Sequence, residues 1–167
     1  MKTKLSWGLF FLMACLTFKV ASSQTEINGK VVSVIDGNTI EFLSSENESF
    51  KLILTGIDCP ELDQDFGEEA KQFLETLLFG KEGVVLIERK DRMGNRVGSI
   101  QINNQRDPRQ ELLENGLAWT TEKNSSHAFD EIKVQAKHLG KGLWSQKNPT
   151  APWVYRRQQS MLIAKSS

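Results

Sequence analysis

Between Glu26 and Ile57 apolar residues recur with a period of two, broken twice by short polar turns, and from Gly67 the period becomes that of a helix. This change of period constrains the fold more than any other feature. Glu26 to Ile35, Thr39 to Leu43 and Phe50 to Ile57 read as three strands joined by Asp36-Gly37-Asn38 and by the polar stretch Ser44 to Ser49, which suggests a meander. Asp58-Cys59-Pro60-Glu61 stops the third strand. In the helix predicted over Gly67 to Phe79, Ala70, Phe73, Leu74, Leu77 and Leu78 share one face, and Gly80 and Gly83 end it. Val84 to Glu88 and Val97 to Ile102 are a fourth and a fifth strand around the turn Asp91-Arg92-Met93-Gly94-Asn95. A second helix starts at Asp107-Pro108, with proline in its first turn, and a third runs from Phe129 to Leu139. From Trp144 the prolines Pro149 and Pro152 read as ordered loop, and the chain beyond Arg157 as a frayed end. Five strands with a helix after the third, then further helices, is the plan of an α+β fold: a five-stranded OB-type barrel with about three helices. An open α+β sheet has the same pattern.

The chain has 167 residues, one domain's worth at roughly 100–200 residues per domain. Its expected organisation is a signal peptide over residues 1–23, a domain with an ordered tail over 24–157 and a frayed terminus over 158–167. Lys2 and Lys4 precede an apolar run from Leu5 to Leu16, and Ala21-Ser22-Ser23 offers small residues for cleavage. That predicts a secreted or periplasmic protein. The run is too short, and too interrupted by Lys19, for a stable membrane span. Leu12-Met13-Ala14-Cys15 loosely matches a lipoprotein box, but apolar sequence continues past Cys15, which argues against a lipid anchor there. Removing Lys2, Lys4 and Lys19 leaves 18 of the 21 basic residues against 21 acidic ones, a net charge of −3. Any phosphate-binding surface is therefore local. Cys59 is then the one remaining cysteine, so no internal disulfide is expected. A monomer is the default.

Six segments, VIDGNTI, LTGIDCPE, GEEAKQFL, DRMGN, ELLENGLAW and AKHLGKGLW, together resemble the staphylococcal nuclease (thermonuclease) family in order and spacing, over Gly29 to Trp153. The resemblance implies the OB-type barrel and calcium-dependent endonucleolytic cleavage of phosphodiester bonds in DNA or RNA. Such chemistry needs a hard cation on oxygen ligands, a carboxylate to activate water, and cations to clamp the phosphate. Carried over position by position, Glu61 matches the general base, Asp58 a metal-ligating Asp, and Cys59 a residue whose backbone carbonyl helps hold the metal. Asn38 stands where a second metal-binding Asp belongs. Ile53 and Asn95 stand where the two phosphate-binding arginines belong, Met93 where a Tyr is frequent, and Thr121 where a Tyr often follows GLAW. Lys51, two residues before Ile53 on the same strand face, with Arg92 and Arg96, are the candidate replacements. Lysine lacks the bidentate fork of arginine, and Arg96 would need a one-residue slip of its turn.

Each motif has a plainer reading. Asp36-Gly37-Asn38 is an ordinary hairpin turn, and Asp58 to Glu61 an ordinary strand end. The acids Glu61, Asp63, Asp65, Glu68 and Glu69 form a solvated face at a helix start. Trp119, Trp144 and Trp153 pack core and tail rather than stack bases. Arg156-Arg157 with Lys165 reads as a soluble basic end that could touch nucleic acid. Three functions follow: an exported nuclease with weakened activity, a catalytically inactive module binding nucleic acid or a protein partner, and a structural envelope protein. The turn around Asp91 also resembles that of the non-catalytic repeats of Tudor nuclease proteins, which favours the second.

Overall fold

A computed structural model describes residues 25–103, 106–123 and 125–166. The expected signal peptide and Cys15 lie outside the described residues. Along the chain come β1 (Thr25–Asp36), β2 (Thr39–Ser44), β3 (Ser49–Leu54), β4 (Ile57–Asp58), α1 (Gly67–Leu78), β5 (Glu82–Lys90), β6 (Arg96–Gln101), α2 (Pro108–Glu114), β7 (Trp119–Thr120), α3 (His127–His138), a 3-10 turn (Gly142–Ser145) and α4 (Pro152–Ser166). β1, β2, β3, β6 and β5 close into a barrel in that order, which settles the choice against an open sheet. β3 and β6 pair in parallel and the other barrel neighbours are antiparallel.

The alternation seen in the sequence fills this barrel. Val31, Ile40, Phe42, Leu52, Leu54, Val85 and Ile100 are buried, and Ala70, Leu74 and Leu78 of α1 with Leu112 and Leu113 of α2 continue the same core. Each large side chain contributes roughly 1.5–3 kcal/mol on full burial. Asp107 caps α2 by accepting from the Arg109 backbone N–H, and Ser126 caps α3 by accepting from that of Phe129.

The structure corrects two expectations. The third strand stops at Leu54 rather than Ile57, because Gly56 takes a φ of 82° and turns the chain. Ile57 and Asp58 then form a ribbon with Thr120 and Trp119 beside the barrel. The tail is a fourth helix, not a loop, and it runs on through the stretch expected to fray. Pro152 occupies its first turn, where the missing N–H costs nothing, and the 13 residues from Trp153 to Lys165 contain neither glycine nor proline. Buried Pro152 and the packing of Trp153 against Trp119, with ring centroids 5.6 Å apart, anchor the helix to that ribbon. Among the described residues no helix is long and apolar enough to cross a membrane.

Candidate active site

The β1–β2 hairpin turn lies against the Asp58–Glu61 corner. Asp36 Oδ1 accepts the Asn38 N–H at 2.9 Å and shapes the turn. Asn38 Oδ1 accepts the Cys59 N–H, and the Cys59 thiol donates to the Gly37 carbonyl, both at 3.2 Å. Gly37 is dictated by this approach, since a Cβ there would sit 2.6 Å from Cys59 Cβ and 2.8 Å from Ala70 Cβ. Gly67 plays the same part below the corner, where a Cβ would overlap the Glu61 carbonyl oxygen. Burial, and after it the charges of Asp58 and Asp36, pushes the Cys59 thiol well above its usual range, so it is a donor here and not a nucleophile.

These segments enclose a cavity of about 320 Å³. Asp36 and Asn38 line it from the hairpin, and Ile53 from β3. Asp58, Cys59 and Glu61 come from the corner, Arg89 and Val97 from β5 and β6, Thr121 follows β7, and Arg156 comes from α4. A larger cleft of about 540 Å³ lies beyond the Pro60–Asp65 loop, but neither Asp58 nor Glu61 lines it.

The charges in the smaller cavity are bound to each other. Arg156 donates from Nη1 to Asp58 Oδ1 at 3.1 Å and to Glu61 Oε1 at 2.6 Å, and from Nη2 to Asp58 Oδ2 at 2.8 Å. The fork fits the carboxylate of Asp58, and its pairing with Asp58 and Glu61 holds the Arg156 guanidinium above its ordinary pKa. Helix geometry explains the placement: Arg156 lies four residues after Pro152 and three after Trp153, and so shares the face that these two anchor. Trp119 meets Trp153 and also pairs with Asp58 across the ribbon. Tyr155 Oη donates to the Asp63 carbonyl at 3.4 Å, and Gln64 Nε2 to that of Thr150 at 2.5 Å, which ties the helix start to the loop after Glu61.

The structure brings together Asn38, Ile53, Asp58, Cys59 and Glu61 around one cavity. It does not bring in Asn95, Lys51, Arg92 or Arg96. Asn95 folds back within its turn, its backbone and side chain both donating to Asp91 at 2.9 Å. Those bonds, led by the side-chain one, hold the Asp91 carboxyl below its usual range. Lys51 is exposed and faces Glu41 across the β2–β3 pair, and Arg92 is exposed on the turn. Arg96 did not slip into the site: its guanidinium stacks on Phe50, 3.8 Å from the centroid, and pairs with Glu48 at 2.6 Å. Sequence reasoning missed Arg89 and underrated Arg156. The available signal for Arg156 was the proline-led helix start four residues before it.

As folded, these residues do not fit a calcium ion. Both oxygens of Asp58 and one of Glu61 accept from a guanidinium, and the Asn38 amide oxygen accepts a backbone N–H. Among the described residues no three His, Cys, Asp or Glu side chains gather as a metal-binding group.

Comparison with known proteins points the same way as the motifs. The family profile described as staphylococcal nuclease homologue matches residues 51–146. A protein of Escherichia coli O157:H7 named "Uncharacterized endonuclease" is 31% identical over 135 residues, covering 80% of this chain and 88% of that one. "Protein ParB" of Escherichia coli is 30% identical over 168 residues, covering 93% and 94%. "Micrococcal nuclease" of Shigella flexneri is 32% identical over 143 residues, covering 79% and 82%.

Proposed function

The chain belongs to the family of staphylococcal nuclease homologues, and from that premise we propose that it is an exported protein that engages phosphodiesters of DNA or RNA and hydrolyses them slowly. Glu61 is the general base. The observation that carries this reading is that Glu61, Asp58, Asn38 and Ile53, distant in sequence, line one cavity. The two acids of the corner thus face a cavity wall on which β3 and β6 present the uncharged Ile53 and Val97.

The chemistry follows from the side chains. Glu61 orients and deprotonates a water for attack on phosphorus. Arg156 holds Glu61 Oε1, so the base works through its other oxygen or after the guanidinium has moved. Ile53 offers nothing to the charge that grows on the phosphate, and Asn95 is engaged with Asp91. Each missing donor typically costs roughly 10²–10³ in rate, and the losses do not simply add. The calcium ion implied by the resemblance would require Asp58 to be released from Arg156.

The test is hydrolysis of single-stranded DNA, with and without calcium, by the wild type and Glu61→Gln. A slow rate abolished by the substitution supports the reading, and a rate unchanged by it refutes the role of Glu61. One observation favours a second reading, a binding module without catalysis: the base and its neighbouring acid already share an internal partner in Arg156. Binding to nucleic acid that weakens steeply with salt, without hydrolysis, would support that module, and flat salt dependence would direct it to a protein partner.

A further inference from the structure

Two arginines line the cavity, and their electrostatic situations are opposite. Arg156 is bound to two carboxylates. Arg89 is exposed and, among the described residues, its guanidinium has no carboxylate or hydrogen-bond partner. It is thus the cavity-lining cation left to meet an anion.

The strand register shows how it reaches the site. Thr39 is opposite Ile53, Ile53 opposite Val97, and Val97 opposite Arg89, so one row crosses β2, β3, β6 and β5. All four residues of that row line the cavity. Adjacent strands lie about 4.8 Å apart, which puts Arg89 two strands, or about 10 Å, from the isoleucine. A register shift between Ile87 and Arg89 interrupts the pairing just before it, the kind of irregularity that re-aims a side chain. The other nearby cations are committed elsewhere or lie outside the cavity, as with Arg96 on Glu48 and Lys51 opposite Glu41.

We propose that Arg89 is the residue that holds a phosphodiester oxygen of a nucleic-acid strand in this cavity, doing from β5 what Ile53 cannot do from β3. The proposal rests on the phosphodiester reading given above and names the group that carries the binding. A guanidinium without an internal carboxylate partner offers a fork to a phosphate, and the pairing carries the salt dependence of a released counterion.

The experiment is fluorescence anisotropy with a short 5′-fluorescein oligothymidylate, and with the same sequence carrying uncharged methylphosphonate links. It is run in chelator across a salt series, so binding is read apart from hydrolysis. The purified protein is compared with Arg89→Ala, Arg89→Lys and Arg92→Ala, each checked for an unchanged melting profile. Arg89→Ala is expected to weaken phosphodiester binding about tenfold and to reduce the salt slope by about 0.7, one single-strand phosphate's worth. Arg89→Lys should keep the slope but lose part of the affinity, because an ammonium keeps the charge without the fork. Arg92→Ala should match the wild type, and the methylphosphonate strand should not distinguish wild type from Arg89→Ala. Three results overturn the assignment: wild-type affinity and slope in Arg89→Ala, an equal loss in Arg92→Ala, or no oligothymidylate binding by the wild type. Glu61-dependent hydrolysis alongside any of these would leave the proposed function standing without Arg89. Arg89-dependent binding with no Glu61-dependent hydrolysis would retire the hydrolytic reading and keep the binding residue.

Discussion

The two sides of the cavity differ in how they carry charge. On the barrel side, Asn38, Ile53 and Val97 are uncharged, and the hairpin amide is spent on the Cys59 backbone. On the corner side, Asp58 and Glu61 keep their charges but share them with Arg156, which comes from a helix 95 to 98 residues away in sequence. Two carboxylates this close repel unless a cation joins them. An acidic corner can therefore be retained for its place in an ion-pair cluster as well as for catalysis, and motif matching alone does not separate the two.

The largest effect that would sharpen this contrast is a gain of function on the barrel side. Ile53→Arg should raise the cleavage rate by roughly 10²-fold or more, since one well-placed donor is worth that much. A rate assay on single-stranded DNA checks it. No gain would mean that position 53 does not face the scissile group.

Next in size is Gly37→Ala, where the added Cβ meets Cys59 and Ala70. A loss of about 1–3 kcal/mol in urea unfolding is expected, as for overpacking a filled site. A neutral result would show that hairpin and corner are not tightly joined.

On the corner side, the half-exposed Arg156 pair is worth less. A double-mutant cycle of Arg156→Ala with Glu61→Gln should give a coupling of about 1 kcal/mol, above an ordinary surface pair because the fork on Asp58 fixes the geometry. Zero coupling would detach α4 from the site.

The smallest effect lies outside the cavity, at Asp130. Hydrogen bonds from Lys133, Ser125 and Thr120 hold its carboxyl well below the usual range. A folded-state pKa below the unfolded value of about 3.9 gives stability that is present above that pH and lost as pH falls through the folded value. The difference in urea stability between wild type and Asp130→Asn should be about 1 kcal/mol or less near neutrality, given the solvent exposure, and should shrink in acid below about pH 4. A difference independent of pH would assign the effect to packing instead.

Much of the fold was legible because it is written in local periods. The alternation from Glu26 to Leu54 and the helical face of α1 need no distant information, and the Asp107-Pro108 start of α2 was equally local. The end of the third strand is hidden in the sequence because Gly56 sits inside an apolar run, although its φ of 82° turns the chain. The tail is ambiguous in the sequence because proline signals both loop and helix start, and only the burial of Pro152 and the Trp119–Trp153 contact decide between them. In the site, Asp58, Glu61, Asn38 and Ile53 were legible through motif spacing. Arg89 was not, because its place depends on a barrel row completed by three separate strand pairings. Arg156 was not, because its partners lie at the far end of the sequence.

A guanidinium from α4 occupies the cationic position between Asp58 and Glu61. Calorimetric titration of calcium into the wild type and into Arg156→Ala tests it most directly. Little or no binding heat is expected for the wild type, and an affinity at least about tenfold tighter for Arg156→Ala, in which two unpaired carboxylates are exposed. Equal calcium affinity in the two proteins would contradict it.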